Sequence, residues 1–431
     1  MPEITNIIYP LFLEHPVIST DSRRVQPESL FFALKGASFN GNEFAARALE
    51  EGALFAFVDD PTYVVNERCI LVKDVLSALQ DLARHHRMQF NIPVVGITGT
   101  NGKTTTKELA YAVLSEKYQT LATRGNFNNH LGVPLTLLNL TKETEIALVE
   151  MGANHPGEID FLCRIAQPDF GLITNIGKAH LEGFGSFEGV VSTKTELYRF
   201  LQQNGGRIFL NNQDGLLKKH VTGTNVITYG TFPADIVATS ITADPFVTMQ
   251  LQFRDQTALM IESKLYGRYN ASNILAAASI GQQFRVPPAQ IKAAIEGYQP
   301  DNNRSQITKT EHNLLILDAY NANPDSMEAA LTTFAETDYP EKTVILGDML
   351  ELGTESDHEH QRMLELLDHL GFTRTFLVGP VFTRMNNTRK NICFHDNELA
   401  KIWLDHHKIM DATILIKGSR GIKLEKLVEV L

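Results

Sequence analysis

The clearest hydrophobic pattern is an apolar, β-branched run at residues 93–98 that ends in a glycine-rich turn and passes into helical spacing over 104–116. A run that is apolar at every position predicts a strand buried on both faces, as in a parallel sheet. Runs at 120–123, 146–150 and 170–176 repeat the strand signal, with helical stretches between several of them. Strand alternating with helix predicts an open, doubly wound parallel sheet. Residues 225–265 break that rhythm. There β-branched and polar residues alternate between turn signals at Gly230, Pro233 and Asp244-Pro245, which predicts an antiparallel patch. Helical spacing returns over 270–284, with Ile274, Ala277, Ala278 and Gly281 on one face.

Either side of this region the texture differs. Residues 1–90 hold short elements: strands at 30–34 and 53–58, a helix at 44–51 ending at Gly52, and helical spacing over 75–89. From 305 onward an α/β rhythm restarts, with strands at 314–319, 343–346, 375–378 and 413–416. Helices are expected at 324–336, 357–370, 397–407 and 424–431. The pattern predicts an α/β protein of three domains. These are a small α/β domain over 1–90, a central mostly parallel sheet with an antiparallel patch over 91–304, and a second open α/β sheet over 305–431.

Length agrees, since 431 residues at about 150 per domain give two to four domains. The net charge of −11 argues against a nucleic-acid binder, which needs a basic footprint, but one local loop can still hold a nucleotide's phosphates. Cys69, Cys163 and Cys393 are far apart and form no CxxC, so neither a disulfide framework nor a thiolate zinc site is expected. With no basic segment before the first apolar residues and no apolar run of spanning length, the expectation is a cytoplasmic protein without a membrane span. A monomer is the default.

The turn after residue 98 carries the chemistry. Gly96-Ile-Thr-Gly-Thr-Asn-Gly-Lys-Thr-Thr-Thr106 lies between a predicted strand and a predicted helix, the setting of a phosphate-binding loop. Glycines let backbone N–H groups turn inward, and the helix N-terminus adds partial positive charge. Lys103 would reach the β and γ phosphates, and the Thr104 hydroxyl would hold Mg²⁺. Ile97 stands where the usual spacing has its first glycine. The alternative is a Gly/Thr-rich turn that only caps a helix.

Ligands of open α/β sheets sit beyond the carboxyl ends of the strands. Glu150 ends one strand and His180 follows another, with Lys194 in a helix shortly after. A carboxylate, an imidazole and the Thr104 hydroxyl suit a metal shell around a triphosphate. Singly, Glu150 could be a surface acid, His180 a helix cap or buried histidine, and Lys194 a solvated lysine. Asn270 is read as a helix cap or an adenine contact. Asn323 before Pro324 reads as a cap, which leaves Asp318, Tyr320 and Asn321 at the same strand end unexplained. His358 and His360 lie two apart on different sides of a helix and are given no site.

Gly-Thr-Asn-Gly-Lys-Thr-Thr at 99–105 resembles the ATP loop of the Mur ligases and folylpolyglutamate synthetases, whose loop departs from the usual spacing in the same way. Other matching stretches are Asn126-Phe-Asn-Asn129, Glu150-Met-Gly-Ala-Asn154, the run from Ile176 to Ser186, the run from Asp318 to Met327, Leu346-Gly-Asp-Met-Leu-Glu-Leu-Gly353 and Lys417-Gly-Ser-Arg420. Together they resemble the Mur ligase family along nearly the whole chain. The runs at 150–153 and 347–353 favour the member that adds D-alanyl-D-alanine to UDP-N-acetylmuramoyl-tripeptide.

The resemblance implies a UDP-binding first domain, a phosphate-loop ATPase-type centre and a Rossmann-like third domain. It implies ATP held by Gly99, Thr100, Asn101, Gly102, Lys103, Thr104 and Thr105, with Asn270 and Asn273 on the adenine side. Arg304 would contact phosphate, and Asp318 would lie near the ribose. Two Mg²⁺ ions are implied, with Thr104 and Glu150 serving the first and His180 the second. Lys194 falls where the family has a lysine that CO₂ can carbamylate to face the second metal, although Ser-Thr-Lys-Thr-Glu stands where Ala-Lys-Gly-Glu is common. Ser22 and Arg23 are the UDP candidates, and Asn126, Asn128 and Asn129 would face the muramoyl-peptide. Lys103, His180 and Lys194 would be catalytic.

The chemistry so implied is ATP-dependent amide formation through an acyl phosphate, with closure of the third domain to exclude water. The competing readings are another Mur ligase, a folylpolyglutamate synthetase, or a nucleotide-gated binding protein without ligase chemistry. The N-terminal UDP-type domain speaks against folate.

Overall fold

The structure, a computed structural model, describes residues 4–386 and 391–431. The chain divides into two compact units: residues 1–96, 118–152 and 158–170 form one, and 97–117, 153–157 and 171–431 the other.

In the first unit a four-stranded parallel sheet runs in the order Ile18–Ser19, Leu30–Phe32, Phe55–Val58, Cys69–Leu71. Phe31, Ala45, Ala48, Leu49, Ala56 and Val58 form a core on one face. The helix Val75–Arg87 follows, capped by Asp74, whose carboxylate accepts from the Ser77 N–H at 2.6 Å. Strand β1 (Val94–Thr98) begins in this unit and ends in the other, and every one of its residues is buried.

Helix α1 (Lys103–Ser115) opens on Gly102 in the left-handed region. In the first unit Thr120–Ala122 pairs parallel with β2 (Ile146–Glu150). In the second unit the strand order is β3 (Phe170–Ile173), Arg207–Asn211, Val226–Gly230, Ile236–Ala243, Phe246–Gln252, Ala258–Tyr266. The expected antiparallel patch is present but begins later than 225. Val226–Gly230 still pairs parallel on both sides, and only the three strands from Ile236 on are antiparallel. Helix α2 (Phe187–Lys194) carries Lys194 at its last position, and α3 (Ala271–Gln283) is buried nearly all round.

The C-terminal sheet has six strands: Gln306–Lys309, β4 (Leu314–Asp318), Thr413–Lys417, Lys342–Gly347, Arg374–Val378 and Ile392–Phe394, parallel except at the first edge. Alternate residues point to opposite faces. Ile316, Val344, Leu346 and Leu415 meet Met327, Leu331, Met363 and Leu367, while Leu315, Leu317, Ile345 and Ile416 meet Ala400, Leu404 and Leu427. Both faces are therefore covered, by α4 (Pro324–Glu336) and α5 (Ser356–Leu370) on the first and by Asn397–His406 on the second. The helix expected over 424–431 is instead a 3₁₀ segment, Leu424–Val430.

Candidate active site: the phosphate loop and its neighbours

In the second unit β1 ends at Thr98 and the chain turns sharply. Gly99 has φ +141° and Gly102 φ +79°, values that side chains rarely adopt. A Cβ on Gly99 would lie 2.0 Å from Thr174 Oγ1, and one on Gly102 2.4 Å from Asn273 Oδ1. The two glycines are required by close approach as well as by torsion.

The loop is laced to the segment after β3. The Thr100 N–H donates to the Asn175 carbonyl (2.9 Å) and the Asn101 N–H to Asn175 Oδ1 (3.0 Å). Thr174 Oγ1 and Asn175 Nδ2 both donate to the Asn101 carbonyl, at 2.6 and 3.0 Å. Lys103 Nζ folds over the loop, donating to the carbonyls of Gly99 (2.8 Å) and Thr100 (3.0 Å). Thr104 is buried at the first turn of α1. Thr174 and Asn175 escaped sequence reasoning because they sat inside the predicted strand 170–176, where their polarity had no assigned use.

Asn270 is not the side-chain cap considered for it. Its Nδ2 donates to the Tyr266 carbonyl (2.8 Å), and its Oδ1 accepts from Asn273 Nδ2 (2.8 Å). Asn273 Oδ1 in turn accepts from Thr106 Oγ1 (3.1 Å). The pair braces the start of α1 from below. Asn323 does cap α4, in a reciprocal box with Ser326, and its amide pairs with that of Asn101 at 2.8 and 3.3 Å.

Lys194 is 2% exposed, which removes the solvated-lysine reading. Its Nζ lies 3.5 Å from the Ala153 carbonyl and 5.6 Å from the centre of the Phe184 ring. His180 has φ +51°, and its Nδ1 faces the Glu351 carboxylate. That contact, aided by charge and opposed by partial burial, holds the Glu351 carboxyl below its usual range. Asp318 Oδ2 accepts from the buried Lys417 Nζ at 2.5 Å. Lys417 belongs to a run read from sequence, but no partner could be named for it. The Arg304 guanidinium stacks 3.8 Å from the Tyr320 ring centre, and Arg420 approaches the same ring at 5.0 Å.

In the first unit Glu150 is 1% exposed at the end of β2, so it is no surface acid. Its Oε1 accepts from Asn128 Nδ2 (2.8 Å), and its N–H donates to Thr123 Oγ1 (3.0 Å). Asn128 is thereby bound to Glu150. Asn129 Oδ1 accepts from the N–H groups of Leu131 and Gly132, and Asn126 is exposed. Arg23 is exposed and bidentate to Asp21, whose carboxyl it holds far below the carboxylate range. Ser22 is half-buried beside it.

Thr104 and Glu150 offer oxygen donors, the type magnesium prefers. Among the described residues no group of three or more His, Cys, Asp or Glu could hold a metal unaided. Each by itself is a donor type that suits Mg²⁺.

Fold and loop together define a multidomain α/β protein built around a phosphate-binding loop. Family models match three successive segments: "Mur ligase family, catalytic domain" over 16–87, "Mur ligase middle domain" over 97–281 and "Mur ligase, glutamate ligase domain" over 303–420. The chain is 34% identical over 430 residues to the UDP-N-acetylmuramoyl-tripeptide–D-alanyl-D-alanine ligase of Bacillus subtilis (strain 168), covering 96% of this chain and 92% of that one. It superposes on a crystal structure of MurF from Acinetobacter baumannii with TM-score 0.86 at 32% identity, covering 96% and 92% of the two chains. On MurF ligase from Thermotoga maritima in complex with ADP the TM-score is 0.85 at 28% identity, covering 97% of each chain. The chain belongs to the Mur ligase family.

Proposed function

We propose that this protein is an ATP-dependent ligase that joins D-alanyl-D-alanine to UDP-N-acetylmuramoyl-tripeptide, a step in making the peptidoglycan precursor. The observation that carries the reading is 34% identity to a ligase of that name in a match covering 96% of the chain, supported by a loop whose glycines are required by close approach and whose lysine folds over it.

The chemical problem is to make a carboxylate acylate an amine. Attack of the tripeptide's terminal carboxylate on the γ-phosphate gives an acyl phosphate and ADP. The dipeptide amine then attacks the carbonyl, and phosphate leaves. The first step brings two anions together, so positive charge must be fixed in advance. Lys103 supplies it by exchanging its two carbonyl partners for phosphate oxygens. The loop amides of residues 99–105 and the N-terminus of α1 add theirs. Arg304, held on Tyr320, contributes a guanidinium for phosphate. Asp318, fixed by Lys417, is assigned to the ribose, and Asn270 and Asn273 to the adenine side.

Thr104, Glu150, His180 and Lys194 as its carbamate are assigned as ligands of two magnesium ions. When bound, these ions neutralise the developing phosphate charge. Carbamylation would turn a buried cation into an anionic ligand, and the burial of Lys194 supports that use. Ser22 and Arg23 are assigned to UDP, and Asn126, Asn128 and Asn129 to the muramoyl-peptide, with Asn128 acting through Glu150. The domains are assigned as 1–90 for UDP-muramoyl binding, 91–304 for ATP and 305–431 for the Rossmann-like part. The enzyme is assigned as a cytoplasmic monomer.

The test is phosphate release from ATP. It should require both UDP-N-acetylmuramoyl-tripeptide and D-alanyl-D-alanine. Oxygen-18 placed in the tripeptide's terminal carboxylate should emerge in the inorganic phosphate. ATP turnover indifferent to either substrate, or label-free phosphate, refutes the reading.

A further inference from the structure

Lys178 has no role in the chemistry above, yet it stands where the phosphate loop and the C-terminal helices are tied together. On one side the turn is part of the loop: the Gly177 N–H donates to Thr100 Oγ1 (2.9 Å), which donates back to the Gly177 carbonyl (3.2 Å). On the other side the Lys178 N–H donates to Asp325 Oδ2 (2.8 Å) in the first turn of α4. A Cβ on residue 177 would lie 2.1 Å from that same oxygen, so only glycine lets the turn approach so closely.

The Lys178 side chain reaches further, to α5. Its Nζ lies 2.8 Å from Glu359 Oε1, and the Glu359 side chain is 0% exposed. Arg362 Nη1 takes the other oxygen at 3.0 Å, and its Nη2 pairs with Glu328 of α4. A carboxylate buried this completely needs a charge partner, and each one it has steadies it. One of the two comes from outside the C-terminal sheet's own elements.

We propose that Lys178 and Glu359 form a positioning latch. The ion pair fastens the 175–178 turn, and with it the phosphate loop, to helices α4 and α5. Nucleotide held at the loop is thereby coupled to the placement of the C-terminal helices during amide formation. Lys178 is a positioning residue here, acting through Asp325 and Glu359. The latch deepens the ligase reading, and its kinetic test rests on that reading.

The decisive measurement is hydrogen exchange on the full-length protein without nucleotide. Lys178→Met keeps the length of the side chain and removes its charge. Lys178 is 44% exposed, and Glu359 keeps Arg362 in this variant, so the fold should survive. Exchange over 176–183 and 356–360 should then quicken by about tenfold. Glu359→Gln should do the same, and Lys178→Arg should match wild type. Equal exchange in Lys178→Met and wild type overturns the latch. In the ligation assay Lys178→Met should lower kcat by about tenfold with KM for ATP within about threefold, and Lys178→Arg should restore it. An unchanged kcat also overturns the proposal. A wild-type protein that forms no amide defeats the ligase reading instead, while the exchange result still decides whether the latch exists.

Discussion

Lys103 and Lys194 show how differently one residue type can be placed by its surroundings. Lys103 sits at the helix start and is held by two carbonyls that phosphate oxygens can replace. Lys103→Ala should cut kcat by about 10²–10³-fold or more, the scale for losing one preorganised charge donor, with thermal stability little changed. Activity within a few-fold of wild type would refute the loop assignment. Lys194 is buried, with a carbonyl and an aromatic ring among its neighbours. Lys194→Ala should be largely inactive and should regain turnover with millimolar acetate or formate at constant ionic strength, since a small carboxylate can stand in for a carbamate. If chloride serves equally well, the carbamate is not used.

At the level of elements, polar residues in and beside the family-matching runs hold elements together. Asp348, in the Gly347-Asp-Met run, accepts from the N–H groups of Val381 (2.8 Å) and Phe382 (2.9 Å) and so caps the helix that begins at Pro380. His360, given no metal site from sequence, donates from Nδ1 to the Ser356 carbonyl (2.7 Å) and accepts at Nε2 from the Met349 N–H (3.0 Å). Burial lowers its pKa, with the Ser356 carbonyl and the Asp348 carboxylate, 3.7 Å away, opposing. Burial likewise lowers that of His86, whose Nε2 donates to the Leu140 carbonyl. A histidine depressed in the folded state leaves the unfolded chain to take the proton first. Stability is then full above the ordinary value of about 6.5 and is lost as pH falls below it. Urea midpoints should therefore drop between pH 7.5 and 5.5, before the carboxylates titrate. A flat profile over that window would contradict the assigned neutral histidines.

For the molecule as a whole, the donor set separates reaction from fold. The described residues hold no group of three or more His, Cys, Asp or Glu that could hold a metal ion, and the proposed reading assigns magnesium to turnover rather than to folding. Chelation with EDTA should abolish ligation and leave the thermal midpoint within about 2 °C; a large fall would mean a structural metal. Much of this architecture could be read from sequence, because strand and helix follow from local periodicity and from what each backbone position tolerates. The strands at 146–150 and 413–417, the helix at 324–336 and the phosphate loop all follow from such local signals. Pairings did not follow. Asn101 meets Asn323, Lys178 meets Glu359 and Asp318 meets Lys417 across separations of 222, 181 and 99 residues. The burial of Lys194, the tie between Asn128 and Glu150 and the contact of His180 with Glu351 were equally out of reach. What the chain determined alone was the identity of its elements and of its nucleotide loop, since both depend on neighbours a few residues away. Which side chains face one another was decided by strand order and helix packing, because a contact between distant residues leaves no period in the sequence.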